Sequence, residues 1–405
     1  MKKTMLFLCC ICVLMSGCGN KNKQSVNVNT SEELNENDYD DSDRIYFLDF
    51  ERNLKNRTND IFTINSMAND IQFIPLETSD EVLLYNDRVQ ISKLNDGFLV
   101  SSSSFLSHFH SIMEFDSTGR FVNYLMRRGQ GPNELPYMAE WKYNHHTQLL
   151  VASTFFQIVL HSFENNTSDK YTLDDFLDNV CLLNDGTMVG IPGDKGKSGE
   201  VETPYLHFLN QEGKKIHSCY YPEKRNIAYS LPEGQILGAL ENYGLYESYT
   251  GDALFKDKFN DTIYRIRSMD DVKPYIIIHR GSLTPTLKDE NNPTTGPQKV
   301  RLINILDTKK YFFIKYFFED KSYFSIWDKQ TLSLIVNSEI PQQKFLKNKD
   351  NISYYRTPNG KDVIIPLSSY YNGKLYSMLN AEDAMDFLPG IVSDDNPVLM
   401  IISIE

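Results

Sequence analysis

The chain has 405 residues, 41 Lys+Arg against 54 Asp+Glu, a formal net charge of −13 and 41% hydrophobic residues. That hydrophobic fraction excludes a disordered chain, and the acidic balance argues against nucleic acid, whose binding demands a basic stripe. An aromatic content of 12%, with 24 Tyr and 24 Phe, leans towards strands.

The first residues are Met1-Lys2-Lys3-Thr4, followed by an apolar run from Met5 to Met15 and then Ser16-Gly17-Cys18. A basic start, a run of about 11 apolar residues and a small-residue exit make a secretory signal. The run is too short to cross a bilayer, which takes about 20 helical residues. Ser-Gly-Cys resembles a bacterial lipobox in which Cys18 becomes the lipidated first residue, although Met15 stands where Leu is usual. Residues 1–17 are therefore expected to be a signal peptide, and 18–43 a lipidated N-terminus and disordered tether. From Gly19 to Asp43 the chain is rich in Asn, Asp, Glu, Ser and Lys, with too little apolar surface to offset its ordering entropy. Gly19-Asn20-Lys21 lacks the acidic cluster associated with surface export, so an outer-membrane lipoprotein facing the periplasm is expected. Of six cysteines, Cys181 and Cys219 alone fall in the folded part; a pair and two buried free thiols both remain open. No CxxC or HExxH suggests zinc.

From Arg44 onward short apolar runs alternate with turn residues: Ile45–Phe50, Phe98–Ser101, Gln148–Ala152, Thr187–Ile191, Tyr311–Tyr316 and Lys374–Leu379. Each is rich in β-branched or aromatic residues and reads as a strand. The best helical candidates, Asp174–Asn179 and Ala381–Leu388, are short. An apolar strand end running into a polar turn recurs at Phe115, Phe163, Phe208, Phe259, Ile326 and Met378, 45 to 67 residues apart. In the clearest of these turns Asp or Asn bonds its own backbone while Gly takes the left-handed position. A period near 50 residues holding about four strands marks a β-propeller blade, and six marks give six blades. The longest interval contains the polar, Pro- and Gly-bearing stretch Gly281–Lys299. The fold expected is all-β, one six-bladed propeller of NHL/TolB-like architecture over residues 44–405, with a pair of two-sheet sandwiches as the alternative.

Two stretches strengthen that reading: Phe73-Ile74-Pro75-Leu76-Glu77-Thr78, and Arg127-Arg128-Gly129-Gln130-Gly131-Pro132-Asn133-Glu134. Together they resemble the six-bladed β-propeller lipoproteins of Bacteroides-type bacteria, with their "IPLET" segment and "GxGQGPxEY" signature. The likeness departs at Leu135, where an aromatic is usual, and at Arg128. Asn260-Asp261-Thr262-Ile263-Tyr264-Arg265 and Asn396-Pro397-Val398-Leu399 resemble the same family, so the likeness runs from about Asp70 to Glu405. It implies the fold and carries no chemistry.

Gly129, Gln130, Gly131, Pro132 and Glu134 read chiefly as structural, an inter-blade link whose glycines permit φ > 0. Beside them Arg127 and Arg128 offer an anion-binding alternative. Trp141 and Tyr143 are the expected stacking platforms for a sugar or peptide. His145-His146 would point oppositely on a strand, His108 and His110 have no carboxylate cluster beside them, and Asp174-Asp175 with Asp178 do not match a calcium loop. No metal and no catalytic residue is expected, and no GxSxG nucleophile elbow occurs. The function expected is a membrane-anchored, non-catalytic binding or interaction module. Its partners would be the bilayer, through acylated Cys18, and a glycan, peptide or envelope protein, with no nucleic acid and a monomeric state. The alternative is a propeller enzyme acting on a glycan or sugar lactone; a channel calcium, the only cofactor considered, enters with that alternative alone.

Overall fold

Alternation along each strand sends successive side chains to opposite faces of a sheet, and here both faces are buried. In Leu149–Ser153, Leu150 and Ala152 pack on one neighbouring sheet while Val151 packs on the other. The computed structural model describes residues 43–54, 61–84, 88–103, 111–131, 134–137, 140–192, 200–201, 204–220, 225–226, 244–257, 259–286, 289, 294–340 and 351–405. Residues Arg44–Glu405 make one compact unit. Cys18 and the tether other than Asp43, together with Pro132, His108 and His110, lie outside the described residues. No described helix is long and apolar enough to cross a membrane.

Six antiparallel sheets form the blades of a propeller. Blade 1 runs outward through Arg88–Lys93, Gly97–Ser103, Ser111–Asp116 and Phe121–Arg128. Blade 2 is Glu140–Asn144, Leu149–Ser153, Gln157–Ser162 and Thr167–Thr172. Blade 3 is Leu177–Leu182, Met188–Pro192, Pro204–Leu209 and Lys215–Tyr220. Blade 4 is Gly244–Glu247, Ala253–Lys256, Thr262–Ser268 and Asp271–His279, with Tyr46–Asp49 added in parallel on its outer edge. Blade 5 is Arg301–Asp307, Tyr311–Phe318, Lys321–Asp328 and Leu334–Ile340. Blade 6 begins at Asp362–Tyr371, continues through Lys374–Leu379 and Val398–Ser403, and takes its outermost strand, Asp70–Pro75, from the other end of the chain. An extra strand, Asn351–Arg356, pairs with the first half of Asp362–Tyr371 on the inner side.

The core is divided accordingly: six apolar clusters, one at each blade-to-blade interface. Burying one such Leu, Ile or Phe contributes about 1.5–3 kcal/mol, so each interface is held by many small terms. Closure comes from antiparallel pairing of Asp70–Pro75 with Val398–Ser403, whose other edge is covered by Lys374–Leu379. The apolar final strand therefore has no free edge.

The six turn marks fall one in each blade. Those at Phe115, Phe163, Phe208 and Ile326 lie at third-to-fourth-strand turns. Those at Phe259 and Met378 lie between second and third strands. In the first group the side-chain cap is visible: Asp116 Oδ1 accepts from the N–H of Thr118 at 2.8 Å and of Arg120 at 3.0 Å, with Gly119 at φ +87°. Asp174–Asn179 is not helical; Leu177–Leu182 is the inner strand of blade 3. An irregularity between Leu177 and Asn179 breaks its alternation, which leaves Leu177 and Val180 at helix-like spacing. Ala381–Leu388 contains one helical turn, Ala381–Ala384. Cys181 and Cys219 are free thiols, and burial pushes that of Cys181 up to about 12.

Candidate functional site

All six innermost strands run in the same direction, and together they enclose a central cavity of about 750 Å³. That volume lies within the range of small-ligand sites, about 300–1,000 Å³. At the end where the inner strands begin, three connections bring aromatics together. Tyr137 precedes blade 2, Phe155 and Phe156 form its second-to-third-strand hairpin, and Phe176 leads into blade 3. Phe155 and Phe176 stack with centroids 4.7 Å apart and planes at 21°. Phe156 meets Phe176 edge-on at 5.2 Å, and Tyr137 lies 5.7 Å from Phe155. Phe156 is 53% exposed and Tyr137 36%, while Tyr137 and Phe155 line the cavity itself. The rim is thus an apolar, partly open ledge.

The wall below is polar. Asn351 is 2% exposed, and neither its Oδ1 nor its Nδ2 has a hydrogen-bond partner among the described residues. Glu140 Oε2, Asn179 Oδ1 and Ser369 Oγ are buried atoms in the same position, and all four residues line the cavity. A buried polar group left unpaired costs about 1–3 kcal/mol, so several around one void identify a place built for something else to fill. Glu247 also faces the cavity; burial raises its carboxyl to about 7, with Lys142 pulling the other way.

At the opposite end the turns after the inner strands converge. There the ring of His145, from blade 2, stacks on Tyr371 of blade 6 at 3.8 Å and 13°. Blades 2 and 6 are separated in the ring by blade 1, so this stack is a bar over the inner end of blade 1. Burial, and then the charge of Lys93, lowers His145 to about 4. Lys93 itself donates to the carbonyls of Leu94, Asn95 and Gly97. Between blades 4 and 5 the buried pair Lys329–Asp307, at 2.6 Å, locks blade 5 to Tyr275 of blade 4, whose hydroxyl donates to Asp307 at 3.1 Å.

Trp141 and Tyr143 line the cavity wall, with little of either ring open to it. They are 2% and 3% exposed, packed in the cluster between blades 1 and 2, with Trp141 Nε1 donating to Ser101 Oγ at 2.7 Å. Both lie within the inner strand Glu140–Asn144, whose bulky residues fill the wedge between blades 1 and 2. The aromatic ledge lies a few residues away, on Tyr137, Phe155 and Phe176. Arg127 and Arg128 are exposed on the outermost strand of blade 1, away from the cavity, with Arg127 lying 3.9 Å over Tyr124. Gln130 is exposed beside them. Neither Gly129 nor Gly131 has positive φ. What requires a glycine at 129 is the Glu134 carboxylate, whose Oε2 would lie 1.9 Å from an added Cβ. That carboxylate accepts from the Gly131 N–H at 2.9 Å, and Lys170 of blade 2 donates to the Glu134 carbonyl at 2.8 Å. The segment staples blade 1 to blade 2. Asp175 pairs with Lys215, and Asp178 faces the cavity. Among the described residues, no group of three or more His, Cys, Asp or Glu is arranged to hold a metal ion.

Ring closure, the six interface clusters and the rimmed axial void define a six-bladed β-propeller with a central cavity. The chain belongs to the DUF4934 family, a domain of unknown function, whose model matches residues 45–403. No curated protein matches it. Among solved structures it is similar to a Bacteroides fragilis NCTC 9343 protein whose name assigns it to export. The TM-score is 0.62 at 16% identity, covering 89% of this chain and 100% of that one. It is also similar to a member of the DUF4221 family from Bacteroides vulgatus ATCC 8482, with TM-score 0.47, 10% identity and coverage of 83% and 96%. The first likeness is one of fold.

Proposed function

We propose that this protein is a non-catalytic binding propeller of the bacterial envelope. Acylated Cys18 holds it to the outer membrane, facing the periplasm, and it takes its ligand in the axial cavity. The observation that carries the binding reading is Asn351, an amide 2% exposed, with both polar atoms unpartnered, on the wall of a cavity with an aromatic rim. The envelope location is supported by the lipobox-like Ser16-Gly17-Cys18 and by the exported Bacteroides fragilis protein of the same fold. The test is a thermal-shift screen of the full-length protein in detergent against glycans, peptides and metabolites. A ligand at 100 times its dissociation constant adds about 2.7 kcal/mol, and Phe155→Ala should abolish the shift. Cys18→Ala should release the protein from the membrane fraction.

An enzymatic reading is favoured by one observation, the Glu247 carboxyl poised at about 7 in the cavity, where a general acid would be. Glu247→Gln would then bind ligand normally and fail to turn it over. In the binding reading the same variant leaves the ligand chemically unchanged, as the unaltered protein does.

A further inference from the structure

Resting on the cavity reading above, we infer that the ligand is a neutral oligosaccharide, held by its hydroxyl groups between the aromatic rim and the polar wall. The chemistry of the unpartnered groups selects among ligand classes. Asn351 offers one acceptor and one donor atom, Ser369 a hydroxyl that does either, and Glu140 Oε2 and Asn179 Oδ1 are acceptors. An ammonium has no acceptor and leaves the Asn351 Nδ2 donor unmet. A carboxylate or phosphate has no donor, leaves three acceptors unmet, and faces the charges of Glu140, Asp178 and Glu247 with Lys142 as the cation on that wall. A hydroxyl donates and accepts at one atom and meets every one of these groups.

Density separates a sugar from a peptide. A peptide backbone brings one donor and one acceptor per residue, spaced by up to about 3.3–3.6 Å. A sugar ring carries several hydroxyls on one small frame, which suits four unpaired side chains around a void of about 750 Å³. The rim fits the same ligand. The stacked Phe155–Phe176 pair offers an apolar face at the mouth, and a pyranose ring has C–H faces to lay on it while its edge hydroxyls reach the wall.

The experiment presents the full-length protein in detergent to an array of neutral, amino and acidic oligosaccharides, with a peptide array in parallel. The strongest neutral glycan is then titrated by calorimetry. The expected result is binding of a neutral di- to tetrasaccharide, weakened about tenfold by Asn351→Ala and by Ser369→Ala separately. Melting temperature should hold or rise in both variants, because the atoms removed pair with nothing among the described residues. If Asn351→Ala does not fold, Ser369→Ala decides. Binding confined to peptides, amino sugars or acidic glycans, yet weakened by the same two variants, overturns the neutral-sugar assignment and leaves the cavity reading standing. Neutral-glycan binding indifferent to both variants overturns the assignment as well, and absence of any binder on either array overturns both readings together.

Discussion

Asn396 and Glu77, 319 residues apart in the chain, are joined by a hydrogen bond from Asn396 Nδ2 to the Glu77 carbonyl at 2.6 Å. The same amide donates to the Val82 carbonyl and accepts from the Leu84 N–H, each at 2.8 Å. Its backbone N–H donates to Thr78 Oγ1 at 2.8 Å. The two most distant motifs that resemble the lipoprotein family are thus one latch, which fixes the loop after the closing strand Asp70–Pro75 to the start of Val398–Ser403.

Asn396→Ala should lower stability by about 2–4 kcal/mol, since it leaves two carbonyls and an N–H unpaired around a side chain that is 3% exposed. Asn396→Asp should be no better, because it places a carboxylate against the carbonyls of Glu77 and Val82. Urea unfolding of both variants checks this.

Gly129→Ala should cost about 1–3 kcal/mol through the clash with Glu134, and Gly131→Ala less, its added Cβ meeting the same carboxylate at 3.1 Å. In a Glu134→Ala background the Gly129→Ala penalty should largely vanish. A double-mutant cycle reads the coupling directly; additive effects would remove Glu134 as the reason for the glycine.

Trp141→Ala should lower stability by about 3–5 kcal/mol, as truncation of a core aromatic does. Both Trp141 and Trp327 are almost fully buried, so the native emission should be blue-shifted and move to the red only on unfolding. A stable Trp141→Ala protein that had lost only ligand binding would restore the platform role.

Two partly buried groups should tilt the pH dependence in opposite senses. His145, lowered to about 4, stays neutral in the fold while the unfolded imidazole binds a proton. Its contribution is present above about 6.5 and is lost as pH falls towards 4. Glu247, raised to about 7, holds its proton longer in the fold, so its contribution is present below about 4.5 and lost as pH rises through 7. Glu247→Gln should therefore raise stability at pH 8 by about 2 kcal/mol and leave it unchanged at pH 4. His145→Phe should flatten the loss between pH 6.5 and 4. Denaturation at a series of pH values distinguishes the two slopes.

The blade count was legible because blades 1, 3, 4 and 5 each spend an Asp or Asn on the marked turn, and such chemistry is written in adjacent residues. Asn210 shows it again, accepting from the N–H of Glu212 and of Lys214 at 3.0 Å each. Blade 4 misled by one hairpin. Its third-to-fourth turn is only Met269-Asp270, while Asn260 caps the Thr262 N–H at 2.9 Å and Asp261 receives the buried Arg280 at 2.7 Å. The cavity was legible only in part: Trp141 and Tyr143 line it, but the groups that mark it were not found. Its rim comes from three separate connections, and its unpaired groups from Glu140, Asn179, Asn351 and Ser369 on different strands, so no spacing along the chain announces them. Trp141 attracted attention because it is a Trp, and size is also what an inter-blade wedge demands.

The closing strand also sets an order of events. Asp70–Pro75 lies near the start of the described chain, yet its partner is Val398–Ser403, more than 300 residues later. Tyr46–Asp49 likewise waits for Asp271–His279. Contacts of such sequence separation are slow to form, because the closure entropy must be met before the pairing repays it. The leading segment therefore has no native partner until the rest of the chain arrives.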